Sequence, residues 1–398
     1  MRRVKSISGA ILIGVLVTAF SCTGGAKVEN ARTGPLSVAL LDLDTRAAGF
    51  KLERVEAEIP VARRPGVEFR TRPWSDSLLA ALRERYDLAG VVDSADGEWE
   101  AQLMLQHWIH QRITNGTPDM EPANAIEILD AAAEGHRFWC SYYAIAYTQC
   151  ALALGWQARK VSLDHLHGPG GPGSRHHGAV EIWSNQWCKW VYLDPQSDLH
   201  FERGGIPLSA WEIREAWLEN GGADVAHING VPPDTVCKNP AIVWWDLPDE
   251  DETALFFWLI WHDSYSTWDS TSASPFYTPA DSHTDGKTWY QGGDSLSPHS
   301  GYKLGLFEPV EDIAKLYWTV GVVETKIIGV ERGRILLALD TWLPDFSRFE
   351  VSFDGGGWEE VENPGSVAWD LHMGLNGLSL RAVNQAGVSG PRTTVVLN

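Results

Sequence analysis

Three residues of the sequence have the types and the order that a thiol-dependent enzyme needs. Cys140 opens a segment with a helical pattern, His177 begins the strand-like segment HGAVEIW, and Asp194 ends the strand-like segment KWVYLDP. The positive end of a helix dipole favours thiolate over thiol, so a cysteine in a first helical turn is a candidate nucleophile. A nucleophilic thiol also needs a base and a group that orients the base. His177 and Asp194 are the candidates for those two roles.

Helical and strand patterns surround these residues. Apolar residues at helical spacing predict helices over about 75–88, where Ser75 is the expected N-cap, and over 97–113. The segment 140–154 is apolar nearly all round, which is typical of a helix in the middle of a domain. The strand-like segments ARKVSL, HGAVEIW and KWVYLDP follow it. A helix followed by antiparallel strands indicates an α+β fold, and the pairing of these strands would bring the base and the acid to the thiol.

The order of these motifs resembles the transglutaminase-like superfamily of papain-like cysteine enzymes. Its members carry a Cys at a helix start, then segments that match ALGWQARKV, HGAVEIW and WVYLDP of this chain, and the resemblance covers roughly residues 75–220. The resemblance implies a papain-like catalytic domain without a cofactor. Carried over by position, it implies that Cys140 is the nucleophile, His177 the base and Asp194 the orienting acid.

The neighbouring residues refine this resemblance. His177 matches the family's base better than His176 does, because it stands four residues before Glu181, as the family's His-x-x-x-Glu strand requires. The chain departs from the family at Phe138, where Gly is common, and at Ala179, where Trp is common. Both departures bear on substrate preference more than on the chemistry, since the three reactive side chains are present.

The first residues have the layout of a secretory signal. Three cationic residues precede an apolar run from Ala10 to Phe20, which is too short for a comfortable membrane span. Cys22 follows at the position of a bacterial lipoprotein processing site, although Ala19 stands where Leu is usual. The sequence predicts a cell-envelope lipoprotein tethered through Cys22, with plain secretion as the alternative.

Composition divides the rest of the chain into further parts. The C-terminal part has five short strand-like segments separated by Gly and Pro, which is typical of a β-sandwich, and it resembles immunoglobulin-like or fibronectin type III-like modules. The stretch before it is rich in Trp, Asp and Ser and predicts no particular fold. The expected parts are a signal peptide (1–21), an N-terminal extension (22–74), a transglutaminase-like catalytic domain (75–236), an intervening region (237–313) and an all-β sandwich domain (314–398).

The charge of the chain excludes some classes of partner. A formal net charge of −20 disfavours binding to nucleic acid, because phosphate backbones require a basic face. The hydrophobic content of 44% is that of a chain that folds into globular domains. The expected partner is a protein or peptide substrate.

The remaining cysteines and one charged pair are assigned structural roles. Cys150 lies on the apolar stripe of the central helix and is expected to stay reduced. Cys188 and Cys237 lie at strand or loop ends and are the expected disulfide pair, in a compartment that permits disulfides. Arg159 and Glu181 are expected to pair across strands inside the domain.

A metal site is a rival interpretation of one histidine-rich loop. Four histidines occur in and beside the segment DHLHGPGGPGSRHHG and could together bind a metal ion. A loop rich in Gly and Pro is a poor scaffold for such a site, so no metal is predicted. The four residues are His165, His167, His176 and His177.

Tryptophans are concentrated after the predicted catalytic domain. Stacked indole faces can bind sugars, which suggests a surface module that binds a glycan and carries a degenerate triad. Packing in the core or between domains is the favoured interpretation, since Trp is highly buried on average. The clustered residues are Trp244, Trp245, Trp258, Trp261 and Trp268.

The predicted activity is hydrolysis of an amide or peptide bond through an acyl-enzyme on Cys140. After acylation, water or an amine can accept the acyl group, and nothing in the sequence marks an amine channel. The loop 164–178, rich in Gly, Pro and His, favours an open and wet cleft. Cross-linking by acyl transfer is the first alternative, and a non-catalytic binding module for a glycan or a protein is the second.

Overall fold

Helices cover one face of a central sheet and a β-sandwich follows it, so the fold class is α+β, as the sequence predicts. The computed structural model describes residues 49, 55–164, 176–230, 258–262, 276–279, 307–361 and 365–398. The α-helices of this described part are α1 (Ser77–Tyr86), α2 (Leu88–Val92), α3 (Glu98–Arg112), α4 (Ala125–Ala133), α5 (Cys140–Ala153) and α6 (Ala210–Asn220). None of these helices is long and apolar enough to cross a membrane.

The strands fall into a central sheet, two small sheets and the sandwich. In chain order the described strands are β1 (Val55–Glu58), β2 (Thr114–Asn115), β3 (Arg137–Phe138), β4 (Ala158–Asp164), β5 (His176–Ser184), β6 (Lys189–Leu193), β7 (Leu199–Arg203), β8 (Ile206–Pro207), β9 (Ala226–Asn229), β10 (Trp258–Trp261), β11 (Phe276–Pro279), β12 (Phe307–Val310), β13 (Val323–Glu331), β14 (Arg334–Thr341), β15 (Phe346–Phe353), β16 (Glu359–Glu360), β17 (Ser366–Asp370), β18 (Asn376–Asn384) and β19 (Thr393–Leu397).

The central sheet includes strands from a stretch whose fold the sequence does not predict. Its strand order is β12-β11-β10-β4-β5-β6, and its pairs are antiparallel except for β11 with β12. Strands β10, β11 and β12 come from the predicted intervening region 237–313. The sheet of the predicted catalytic domain therefore continues past residue 236.

Helix α5 lies in the middle of the helical layer because it is apolar on all sides. Every residue of α5 after Cys140 is buried. The helix packs on β4 and β5, and helices α1, α3 and α4 surround it. The opposite face of the sheet is covered by α6, by strand β7 and by the segment that ends at Leu316. The predicted central helix is thus present, from Cys140 to Ala153.

The helix caps match the sequence pattern with one correction. Helix α1 is capped by Asp76, whose side chain accepts a hydrogen bond from the Leu78 amide, so the prediction of Ser75 as the N-cap is wrong by one residue. Asp and Ser are both good N-caps, and the pattern alone does not separate neighbours. Helix α6 begins with a capping box in which Ser209 and Glu212 bind each other's backbone N–H groups.

The C-terminal sandwich is made of the sheets β1-β19-β18-β15-β16 and β13-β14-β17, with an apolar core between them. The five segments with a strand-like pattern all form strands, as β14, β15, β17, β18 and β19. The sequence pattern predicts neither β13 nor β1. Strand β1 pairs antiparallel with β19, from Val55 opposite Leu397 to Glu58 opposite Thr394. The N-terminal extension therefore completes the sandwich.

The sandwich packs against the end of α5. Gly155 follows that helix with a φ of +87°, and a Cβ there would lie 2.3 Å from the Cβ of Ala386, so only glycine fits without a shift. The side chain of Asn384 donates a hydrogen bond of 2.8 Å to the Gly155 carbonyl. The Trp74 amide donates to Asp345 at 2.9 Å. These contacts join the two domains at the end of α5 that lies away from Cys140.

Candidate active site

Cys140 is the first residue of α5 and follows strand β3 almost directly. Strand β3 pairs in parallel with β2, and the extended Trp139 (φ −81°, ψ 172°) leads the chain into the helix. Phe138 is fully buried, so it fixes the entry of the chain. The thiol is partly exposed and free of any disulfide. It therefore lies at the positive end of the helix dipole, where a thiolate is favoured.

Strand pairing brings His177 and Asp194 together. Strand β5 lies between β4 and β6, and the pairing of Val180 with Leu193 sets the start of β5 beside the end of β6. The Nε2 atom of His177 lies 2.9 Å from Oδ2 of Asp194, and both residues are buried. The imidazole of His177 also interacts electrostatically with Cys140. We call these three residues the Cys-His-Asp cluster, and all three are those that the sequence singled out.

The close contact between strand β5 and helix α5 depends on Gly178. A Cβ at this position would lie 3.0 Å from the Ser141 hydroxyl and 3.3 Å from the Ser141 amide nitrogen. Such distances are tighter than ordinary van der Waals contact, so a larger residue would push the strand away from the helix. The glycine beside His177 therefore sets the separation between the imidazole and the thiol.

The carboxylate of Asp194 is held by the turn that follows it. The amides of Gln196 and Ser197 donate to Oδ1 at 3.0 and 3.2 Å, and the Ser197 hydroxyl donates to Oδ2 at 2.6 Å. Hydrogen bonds to a carboxylate stabilise its charged form. Asp194 therefore reaches His177 as a fixed, ionised acceptor.

Electrostatics in the cluster favour a charged imidazole. Burial by itself lowers the pKa of His177, but the charge and hydrogen bond of Asp194, followed by those of Cys140, outweigh burial and raise the pKa to about 10. Burial by itself raises the pKa of Asp194, but the charge and hydrogen bond of His177 and the bonds from Ser197 hold it below the ordinary value. At neutral pH the pair is therefore an imidazolium and a carboxylate.

Some residues of the site give only weak signals in the sequence. Asn115 lies beside Phe138 in the β2–β3 pair, and its Oδ1 accepts a hydrogen bond of 2.7 Å from the side chain of Gln196. Gly178 and Ser197 act through contacts that only the fold reveals. The signals that could have found them are the His-Gly pair and the polar residues directly after Asp194-Pro195.

The predicted pair of Arg159 and Glu181 is present on the sheet face that lies away from α5. The guanidinium donates to Oε2 of Glu181 at 2.9 and 2.6 Å, and the pairing of β4 with β5 sets the two residues opposite each other. Glu181 also accepts from the Trp261 indole at 2.8 Å and from the Tyr317 hydroxyl at 2.7 Å. Both charges are buried and satisfied, which is typical of a structural pair.

The other thiols differ from Cys140. Cys150 is free and fully buried, as predicted, and burial raises its pKa above the ordinary value. Cys188 is disulfide-bonded. Its predicted partner, Cys237, lies outside the described residues, as does the predicted lipidation site Cys22.

The rival interpretations concern residues that the structure describes only in part. His165 and His167 of the proposed metal cluster lie outside the described residues, as do Trp244, Trp245 and Trp268 of the aromatic cluster. Trp261 is fully buried in the core, in agreement with the packing interpretation. Within the part of the chain that the structure describes, no group of three His, Cys, Asp or Glu side chains converges as a metal site requires.

A cavity lies apart from the Cys-His-Asp cluster, between the central sheet and the sandwich. It has a volume of about 430 Å³, and aromatic side chains line much of it, among them those of Phe69, Trp190, Trp318 and Trp342. None of the three cluster residues lines it. We locate the candidate active site by its chemistry, since a nucleophile, a base and an acid in contact are more specific than an apolar cavity.

Comparisons with known proteins add little. No protein-family model matches the chain, and no curated protein matches it. A crystal structure from Cytophaga hutchinsonii, described as a "putative cysteine protease", is similar to this chain with a TM-score of 0.24 and 13% sequence identity. The match covers 32% of this chain and 46% of that one. A likeness at this level carries no argument about this chain.

Proposed function

We propose that this protein is a cysteine hydrolase of the transglutaminase-like type, which cleaves amide or peptide bonds through a thioester on Cys140. The observation that carries the proposal is the cluster at the start of α5, in which Cys140 interacts with His177 and His177 is hydrogen-bonded to Asp194. The motif order in the sequence supports the family, and the geometry supports the three roles.

The first half-reaction acylates the thiol. The raised pKa of His177 favours an imidazolium, and the positive charge of the ring and that of the helix start stabilise the proposed thiolate of Cys140. The sulfur attacks the carbonyl carbon, and the carbonyl electron pair moves to oxygen. When the C=O bond re-forms, the C–N bond breaks and His177 gives its proton to the leaving amine.

The second half-reaction releases the acyl group. His177, now neutral, takes a proton from water, and the hydroxide attacks the thioester carbon. The C–S bond breaks, and the thiolate of Cys140 is restored beside the imidazolium. Because Nε2 of His177 is engaged with Asp194, Nδ1 is the nitrogen that exchanges protons at the thiol side of the ring.

The oxyanion requires hydrogen-bond donors near the sulfur. The backbone N–H of Cys140 lies in the first turn of α5, outside the helix's own hydrogen-bond ladder, and is the first donor. We propose the side-chain amide of Asn115 as the second. Gln196 donates to its Oδ1 and so fixes the orientation of the amide, while β2 holds it beside the residue two positions before Cys140.

Extracytoplasmic location is part of this proposal. The signal-like N-terminus and the candidate anchor Cys22 suggest export, with or without a lipid. The disulfide at Cys188 supports it, because structural disulfides are characteristic of oxidising compartments.

The test follows the fate of the acyl group. The purified protein is incubated with peptide libraries and a labelled primary amine, and free acid and amine adduct are both measured. We expect release of free acid to exceed incorporation of the amine. Faster incorporation would overturn hydrolysis in favour of cross-linking, and no turnover of either kind would favour a binding module.

A further inference from the structure

Lys160 is a buried lysine on the sheet face that packs under α5. It lies in β4 opposite Val180, and it shares its side of the strand with Ala158, which packs in the same core as α5. Only 4% of its surface is exposed. A lysine is almost never buried to this extent unless its charge is compensated.

Strand register sets Lys160 close to the start of α5. The next residue on the same side of β4 is Ser162, and Ser162 pairs with Gly178, the glycine that touches Ser141. Lys160 is thus one same-face position away from the point where the sheet meets the first turn of the helix. Its charge interacts with Cys140.

Among the described residues, no carboxylate shifts the pKa of Lys160. Strand β5 presents Val180, and helix α5 presents Cys140. Strand β10 brings His262, which is buried and within 2.9 Å of the Ser162 hydroxyl. The adjacent Arg159, equally buried, points to the other face and is paired with Glu181. No described carboxylate forms an ion pair with Lys160, and Cys140 is the described side chain whose charge acts on it.

The charges of the Cys-His-Asp cluster do not balance without this lysine. A thiolate, an imidazolium and a carboxylate sum to one negative charge, and the ammonium of Lys160 brings the sum to zero. Burial lowers the pKa of Lys160 to about 8, against a smaller opposing effect of Cys140, so the group is still largely protonated at neutral pH.

We infer that Lys160 is a further electrostatic residue of the reactive centre, whose ammonium stabilises the Cys140 thiolate and then the oxyanion that forms from it. This inference rests on the proposed function for the second step. During attack the negative charge moves from the sulfur to the carbonyl oxygen, and the positive charge of Lys160 remains close to both. The resemblance assigns no role to this position.

The test measures the ionisation of Cys140 and needs no substrate. The pH dependence of its alkylation by iodoacetamide gives the apparent pKa of the thiol in the wild type and in Lys160→Met and Lys160→Gln. Both neutral variants are expected to raise that pKa by about one unit, a tenfold change in the thiol–thiolate equilibrium. The control is Lys189→Met, which removes a largely buried lysine that is paired with Glu212. An unchanged pKa in folded neutral variants would overturn the inference.

Stability gives a second outcome. Removal of one member of a balanced set of buried charges is destabilising, so Lys160→Met is expected to lower the melting temperature and also to slow alkylation at acidic pH. A lysine that serves only the structure would lower the melting temperature and leave the thiol ionisation unchanged. If the wild-type thiol itself titrates like free cysteine, the proposed function fails. If the thiol pKa of the wild type lies below that of free cysteine and the variants have the same pKa, only the role of Lys160 fails.

Discussion

The two cysteines of helix α5 have the same side chain and opposite surroundings. Cys140 begins the helix, is partly exposed and interacts electrostatically with a buried imidazole. Cys150 lies in the same helix, fully buried among apolar residues, and burial raises its pKa above the ordinary value. The thiolate is therefore favoured at one end of the helix and excluded further along it.

This difference shows that reactivity comes from position and not from residue type. The helix dipole, the imidazolium of His177 and partial solvent access all act on Cys140. Cys150 has none of these and behaves as a small hydrophobic residue.

The largest expected effect is the loss of reactivity in Cys140→Ser. The hydroxyl keeps the shape of the thiol but is a far weaker nucleophile at neutral pH, so alkylation and turnover are expected to fall to background. Cys150→Ala is the matched control in the same helix. It is expected to keep wild-type alkylation, and iodoacetamide labelling with peptide mapping distinguishes the two. Labelling of Cys150 in the native protein would contradict the difference in reactivity between the two cysteines.

Asp194→Asn tests the support of the base. An amide cannot stabilise the imidazolium of His177, so a fall of about 10²–10⁴-fold in kcat is expected. Steady-state kinetics measure it, with Asp340→Asn on the exposed surface of the sandwich as the control. Activity within twofold of wild type would show that Asp194 serves only the turn that follows it.

Asn115→Ala tests the proposed second oxyanion donor. Loss of one such donor typically costs about 10²-fold in kcat. Because the donor acts in the transition state, KM and the rate of Cys140 alkylation are expected to change little. A variant that loses alkylation as well as turnover would point to a structural role for Asn115 beside Phe138.

Gly178→Ala tests the contact between β5 and α5. The added methyl group meets Ser141 at 3.0 Å, so the strand must shift and the thiol–imidazole distance must change. A shift of this kind is expected to lower kcat by about tenfold, since catalysis is sensitive to sub-ångström displacement. Gly357→Ala is the control, because a Cβ there meets nothing within 4 Å. Equal activity in the two variants would show that Gly178 does not set the separation between the imidazole and the thiol.

The smallest expected effect is on the pH dependence of the free energy of unfolding. The pKa of His177 is raised in the folded protein to about 10, so its contribution is fully present below its unfolded value of about 6.5 and is lost as pH rises towards 10. The difference in free energy of unfolding between wild type and His177→Gln is therefore expected to narrow over that range. Urea unfolding at several pH values measures it, and a difference independent of pH would contradict the charged pair.

The sequence predicts the elements that depend on local pattern. The apolar segment of α5 and the strands with His177 and Asp194 are recognisable because each has a clear pattern within its own residues. Their order suggests the cluster. Strands β10 to β12 are not predictable in this way, since they acquire partners from distant segments and lie in a Trp- and Ser-rich stretch. Strand β1 likewise forms only against the C-terminal strand β19.

The site follows the same division. Cys140, His177 and Asp194 are recognisable from sequence because their side-chain types are those of a thiol enzyme, and the structure brings them together. The roles proposed for Gly178 and Lys160 depend on distance and burial, which no local pattern reports. A lysine in a strand-like segment ordinarily indicates a solvated side, yet Lys160 is buried under α5.

The most direct test of the central claim is to trap the acyl-enzyme. A peptide substrate found in the library screen is mixed with the protein, the reaction is stopped with acid during turnover, and the adduct is located by mass spectrometry of the digested protein. A thioester is expected on the peptide that contains Cys140, and none is expected in Cys140→Ser. An adduct on another residue, or continued turnover in Cys140→Ser, would contradict it.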